Sequence, residues 1–245
     1  MKEKLAGINS VMEALKGRRK IEKILIQEGR QGKRMDELMK LAQKKGIYVQ
    51  MVEKTRLDKI YTIGNHQGII ALAEAYRYST LEEVLEYAAL SGEPPFLIML
   101  DGIEDPRNFG AIVRTAESAG VHGIIIPRHN SVQVNEVVSR ASAGAVEYMH
   151  IIQETNLVNM IKILKGQGMW IIGADMDATD NYFNSSIPAP TTLVIGGEGK
   201  GLRRLVKENC DLLLKIPMKG KVGSLNASVA AALLIYEIIR QRDTK

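Results

Sequence analysis

The chain has a single cysteine, Cys210, among 245 residues. One thiol rules out a disulfide framework within the chain and fits a reducing compartment. No stretch is long and apolar enough to span a bilayer. The first residues, MKEKLAGINSVMEALKG, hold no continuous apolar core of signal-peptide length, so the expected location is cytoplasmic. The most apolar late segment, Leu225 to Ile239, is interrupted by Asn226, Ser228 and Glu237 and reads as a buried amphipathic helix. The four histidines and one cysteine show no ligand spacing, and no metal site is expected. Internal repeats and low-complexity segments are also missing.

What remains is a globular composition, 45% hydrophobic and 25% charged. The length suits one large domain or two ordinary ones. Charge is unevenly placed. Residues 1–78 carry 17 Lys+Arg against 9 Asp+Glu, a net +8, and residues 79–245 carry 16 against 19, a net −3. A basic module beside a near-neutral one matches a nucleic-acid-binding arm on a catalytic domain, and equally a lysine-rich solvated surface.

The first module alternates helix and strand signals. Asn9 is placed to cap a helix reaching Lys16, with Gly17 ending it. Ile21–Gln27 alternates as a half-buried strand does. A helix over 34–44, a strand over 47–52 and a strand over 68–73 complete a small α/β sandwich. Residues 76–79 read as a linker. Thr80 and Glu83 have capping-box spacing and start a helix over 81–90. Pro94-Pro95 then forces extended chain before Phe96–Leu100, a continuous apolar run of the kind found in buried parallel strands. Further apolar runs at 123–126, 149–152, 170–172, 193–195 and 212–216, mostly separated by helical stretches, predict an open parallel sheet covered on both faces. The expected division is 1–75, a linker and first helix over 76–92, and a catalytic domain over 93–245.

Ligands of such sheets sit at the carboxyl ends of the strands, and three loops there are unusual. The first runs from Asp101 through Asn108 into a helix expected over 111–119, on which Arg114 and Glu117 share the face away from the apolar stripe. Taken alone, this is a surface ion pair and a capping asparagine. The second, Gly196-Gly197-Glu198-Gly199-Lys200-Gly201, lacks the Ser or Thr that a phosphate loop places after Gly-Lys, and its glycines miss the dinucleotide spacing. Glu198 either faces a ligand or caps a helix starting near Leu202. The third, Pro217 to Ser228, crowds Ser224, Asn226 and Ser228 against a strongly apolar helix, more polar groups than one cap requires.

In this order and spacing, Asn108-Phe-Gly-Ala-Ile-Val-Arg114-Thr-Ala-Glu117, Ile195-Gly-Gly-Glu198-Gly-Lys-Gly201, and Ile216-Pro217 with Ser224-Leu-Asn226-Ala-Ser228 resemble the three motifs of the SpoU/TrmH-type RNA ribose methyltransferases of the SPOUT class. The resemblance covers about the last 150 residues. GINSVMEAL and HQGIIALAEAY extend it to a small L30e-like α/β domain that precedes the catalytic domain in ribosomal-RNA members. It implies a parallel-sheet domain with a C-terminal trefoil knot, S-adenosyl-L-methionine as cofactor, and a homodimer whose active sites are completed across an interface formed by the last helix.

By the same resemblance, Arg114 contacts the ribose hydroxyl or a neighbouring phosphate. An arginine keeps its proton up to a pKa of about 12 or more, so the role expected of it is electrostatic stabilisation of the developing alkoxide rather than proton abstraction. Asn108 would hold Arg114 or the ribose, and Glu117 would orient an arginine. Glu198 would fix the cofactor loop or the ribose, and Ser224 and Asn226 would orient the reacting groups. The chain around Gly196, Gly197, Ile216, Leu225 and Ala227 would hold the adenosyl group. The expected activity is 2′-O-methylation of a ribose, leading with guanosine in 23S ribosomal RNA. The alternatives are transfer RNA as substrate, an antibiotic-resistance methyltransferase acting on ribosomal RNA, and a non-catalytic RNA-binding protein.

Overall fold

In the computed structural model, which describes residues 2–244, the first four strands are β1 (Lys2–Ala6), β2 (Ile21–Gln27), β3 (Tyr48–Val52) and β4 (Ile69–Glu74). They form a sheet in the order β1-β4-β2-β3, with β2 and β3 parallel and the other pairs antiparallel. Alternation along β2 explains the two layers. Ile24 and Ile26 enter one cluster with Val11 and Leu15 of α1 (Ile8–Lys16) and Met35 and Leu38 of α2 (Lys33–Lys44). Leu25 enters the opposite cluster with Leu57 of α3 (Lys54–Ile60). Asn9 is not the cap of α1. Gly7 holds that position at φ 93, and the Asn9 side chain instead accepts a 2.6 Å hydrogen bond from Arg34.

The second sheet has seven strands, all paired in parallel. They are β5 (Phe96–Asp101), β6 (Gly123–Pro127), β7 (Ile151–Glu154), β8 (Trp170–Ala174), β9 (Asp180–Asn181), β10 (Thr191–Gly196) and β11 (Leu212–Lys215), in the spatial order β7-β6-β5-β10-β8-β11-β9. Its helices are α4 (Leu81–Ser91), α5 (Pro106–Ser118), α7 (Leu157–Gly166), α8 (Arg204–Glu208) and α9 (Ala227–Asp243), α6 (Glu136–Ala141) lying elsewhere. Every residue of β5 is buried, as a strand covered on both faces requires. Leu81, Val84, Leu157, Met160 and Val206 of α4, α7 and α8 cover one face. On the other, α9 packs against both α5 and β10. Both hydrogen bonds of the expected Thr80–Glu83 capping box are present.

Two compact units result. One holds the residues up to Arg77 together with Val134–Tyr148, and the other holds Tyr78–Gln133 and the chain from Met149. The sequence reading placed 134–148 in the catalytic domain. In the structure α6 packs on β1, and Ser139 accepts a hydrogen bond from the buried Ser10 hydroxyl at 3.1 Å.

A 3-10 turn, Ala145–Glu147, then buries Glu147 beside Arg19, whose Nε donates to its Oε2 at 3.1 Å. Burial pushes the Glu147 carboxyl up to about 7 against the pull of Arg19. Its ordinary value is 4.5, so the proton is held more tightly in the folded state. That contribution to stability is complete below about pH 4.5 and is lost as pH rises through about 7. The melting temperature of the wild type should therefore fall from pH 5 to pH 8 relative to that of Glu147→Gln. Parallel curves for the two proteins would refute this.

Candidate active site

Three chain segments meet at the carboxyl ends of β5, β10 and β11. The first begins where the apolar run of β5 ends in Asp101. This carboxylate is buried and accepts from the Arg203 backbone N–H at 2.8 Å and from Arg203 Nε at 2.5 Å. It thus ties the end of β5 to the loop after β10, helped by a 2.9 Å bond from Gly197 N–H to the Asp101 carbonyl. A charged residue closing a wholly apolar strand was the sequence signal for Asp101, and the sequence reading gave it no role.

Next, α5 starts at Pro106, five residues before the expected 111, because Asp105 caps it. Asp105 Oδ1 accepts from the N–H groups of Arg107 and Asn108 at 2.6 and 3.1 Å, and proline suits the first helical position. Asn108 therefore stands inside the first turn rather than upstream of it. Its Nδ2 donates to Glu198 Oε1 at 2.8 Å. The third segment supplies Asn226, whose Nδ2 donates to Asn108 Oδ1 at 2.9 Å and to the same Glu198 oxygen at 2.8 Å. Asn226 Oδ1 in turn caps α9, accepting from the Ser228 N–H at 3.0 Å and from its hydroxyl at 2.6 Å. One residue from each unusual loop thus joins a single network across up to 118 positions of sequence. Glu198 caps no helix. Residue Arg203 precedes α8, which has no side-chain cap. Among the described residues, Glu198 Oε2 has no hydrogen-bond donor.

Beside this network lies a cavity of about 620 Å³. Gly196, Gly197, Ile216, Leu225 and Ala227 all line it, together with Glu198, Ser224 and Asn226. Ile195 and Leu214 give it apolar wall. Asp175 and Asp177, from the turn after β8, and Lys207 also line it, and none of them was anticipated from sequence. The Asp175 carboxylate hydrogen-bonds Lys207 at 2.7 Å and holds its ammonium above its ordinary value. Residues 218–225 neither donate nor accept a backbone hydrogen bond among the described residues, which leaves their amides and carbonyls open to a ligand.

Other expected partners are not assembled here. Arg114 is exposed, does not line this cavity, and has no hydrogen bond or ion pair among the described residues. It follows Asn108 by six positions, about 9 Å along the helix axis and on another face, so Asn108 does not hold it. The surface ion pair between Arg114 and Glu117 is likewise not formed. Ser224 is exposed and makes no hydrogen bond among the described residues. Among those residues no group of three His, Cys, Asp or Glu side chains is placed to hold a metal ion, and no helix is long and apolar enough to cross a membrane. Burial pushes the Cys210 thiol up to about 12, so it is not a nucleophile at neutral pH.

An open parallel sheet with a cavity and a converging polar cluster at the carboxyl ends of its central strands marks a ligand-binding α/β domain. The comparisons narrow this class. Residues 95–236 match the model of the SpoU rRNA Methylase family, and residues 4–79 match a model described as RNA 2′-O ribose methyltransferase substrate binding. YacO of Bacillus subtilis (strain 168), assigned to the TrmH family of tRNA/rRNA methyltransferases, is 44% identical over 97% of this chain and 95% of its own. A solved RNA 2′-O ribose methyltransferase is 25% identical, with a TM-score of 0.79 over 98% of this chain and 89% of its own. The solved A. aeolicus TrmH/SpoU tRNA modifying enzyme is 28% identical, with a TM-score of 0.56 over 67% of this chain and 85% of its own. The chain belongs to the SpoU/TrmH family of RNA methyltransferases.

Proposed function

We propose that this protein methylates the 2′-oxygen of a ribose in RNA with S-adenosylmethionine as donor, and that its target is a guanosine of 23S ribosomal RNA. The observation that carries the reading is the network joining Asn108, Glu198 and Asn226 at the mouth of the 620 Å³ cavity. The cavity suits the donor. Ile195, Leu214, Ile216 and Leu225 offer apolar surface for a purine ring, the unbonded backbone of 218–225 offers donors and acceptors for its edge, and Asp177 offers a carboxylate for hydroxyl or ammonium groups.

The cofactor supplies an electrophilic methyl group on a sulfonium. The protein has to bring the ribose oxygen into line with it, and positioning of this kind is worth roughly 7–11 kcal/mol. The two carboxamides fix Glu198 through Oε1, and Oε2 is then directed to accept a hydrogen bond from the ribose. Arg114 stabilises the oxygen as its proton leaves. Its separation from the network on its own chain is accounted for if it serves a second copy. Val229, Leu233 and Tyr236 recur at i, i+4 and i+7 on α9 and are exposed, an unpartnered apolar stripe on a helix packed against α5. We take this stripe as the homodimer interface and place Arg114 in the partner's site. On the resemblance of its loops to the family's three motifs, we take the segment that holds β10 and β11 to be tied in the trefoil knot.

Ribosomal RNA is preferred to transfer RNA because residues 4–79 match a substrate-binding model, while the tRNA modifying enzyme covers only 67% of this chain. The test is labelled methyl transfer to ribosomal and transfer RNA from cells lacking the gene, followed by digestion to nucleosides. Label in 2′-O-methylguanosine from 23S RNA is expected. Label in a base, or none in RNA, overturns the activity. Label in transfer RNA alone overturns the substrate.

A further inference from the structure

The first unit carries a polar cleft that the catalytic reading does not use. It has a volume of about 580 Å³ and lies between the end of β2, the start of α3 and the loop before β4. Arg30 and Lys54 line it from two sides. Gly64, also in its wall, lies so close to the Arg140 guanidinium that a Cβ there would come within 2.1 Å of Nη1. Two cations, Arg30 and Lys54, therefore line one cleft, and a third, Arg140, stands against its Gly64 wall. None of the three forms an ion pair among the described residues. Asp58, in the same wall, is engaged by His66 at 2.8 Å.

The loop is also held in a shape it would not adopt freely. Gln67 sits at φ 52, a left-handed conformation that favours glycine, yet the residue is a glutamine. The buried His66 fixes it from both ring nitrogens, one bonded to Asp58 and the other accepting from the Gly68 N–H at 3.0 Å. Gln67 Oε1 accepts from the Ile8 N–H at 3.2 Å, which leaves its Nε2 as a donor. Gln27, opposite, has no side-chain hydrogen bond among the described residues. Unpaired cations beside one fixed carboxamide and one without a hydrogen bond suit a phosphodiester chain with one base turned inward.

We propose that this cleft grips a single-stranded stretch of the RNA substrate, with Arg30 and Lys54 on phosphates and Gln67 and Gln27 against a base edge. This rests on the reading that the protein acts on RNA. An acidic peptide would satisfy the cations but would not use the carboxamides.

The test uses the full chain and a fluorescein-labelled RNA stem-loop with a ten-nucleotide loop. Arg30→Ala/Lys54→Ala should weaken binding at least tenfold and flatten the dependence of log affinity on log salt by about 1.4, the value for two single-strand phosphate contacts. Lys40→Ala/Lys44→Ala removes the same charge from the exposed face of α2 and should change affinity less than twofold. Gln67→Gly relieves the backbone, so its melting temperature should hold or rise while RNA affinity falls at least threefold. Equal losses for the two double variants, or unchanged affinity for Gln67→Gly, overturn the site. So does equal competition by polyglutamate and unlabelled RNA. If the wild-type chain binds no RNA at all, the reading of the protein as an RNA enzyme fails instead.

Discussion

Arg114→Ala should lower the single-turnover rate of methyl transfer by 10²–10³-fold, roughly what removal of one charge-stabilising donor costs elsewhere, while calorimetry shows unchanged cofactor affinity. The structure makes the second half of this expectation sharp. Arg114 is exposed on α5 and does not line the cavity beside the Asn108–Glu198–Asn226 network, so its loss leaves every wall of that cavity in place. If it serves the partner's site, mixing Arg114→Ala with Asn226→Ala should restore activity. Each heterodimer would then hold one site with an intact arginine and an intact network. Loss of cofactor binding in Arg114→Ala, or no recovery on mixing with dimer exchange confirmed, would remove the arginine from that role. Arg114→Lys distinguishes the chemistry: full rate regained only at a shifted pH would speak for proton abstraction.

Gly196→Ala should be the most damaging of the loop substitutions. A Cβ at Gly196 would lie 2.2 Å from the Gly201 carbonyl carbon and 2.5 Å from the Leu202 nitrogen. These are backbone atoms, held by the bridge between Gly197 and Gly201 and by the 3.0 Å bond from Gly201 N–H to the Gly197 carbonyl. The loop has to open to admit the methyl. A stability loss of about 1–3 kcal/mol, the range for overpacking, should accompany at least a tenfold fall in affinity for S-adenosylhomocysteine. Gly199→Ala is the matched comparison. Gly199 has φ 75 and nothing within 4 Å of the added Cβ, so it meets backbone strain of about 1 kcal/mol without displacing the cavity wall. Equal cofactor affinity in the two variants would show that closure of this turn is not what shapes the site.

Both residues were legible as members of a pattern, and their surroundings were not. Sequence reading located the strands that are continuously apolar, such as Phe96–Asp101, because burial on both faces leaves no polar interruption. It missed β1, β9, α3 and α6, which are short or lie at an edge where composition carries little signal. The early start of α5 was written in Asp105-Pro106, a cap followed by a first-position proline, but proline and Gly110 read more readily as loop. The five residues expected to hold the adenosyl group line one cavity. Of the two partners expected for Asn108, the ribose or Arg114, Arg114 is near in sequence but on another face of α5, while Glu198, not named as a partner, is 90 residues away and reaches it through the placement of β10 beside β5. Nothing local encodes that strand order.

The return of Val134–Tyr148 to the first unit has a consequence for how the protein is made. The chain crosses between the units three times, after Arg77, after Gln133 and after Tyr148. A nascent chain that has just delivered Arg77 still lacks α6 and the turn bearing Glu147, leaving Ser10 without its acceptor and Arg19 with Glu3 alone of its two carboxylates. Synthesis of the intervening 71 residues takes about 4–14 s at ordinary translation rates. For that interval the basic module is an unfinished body on the ribosome, and its completion waits on the first strands of the catalytic sheet.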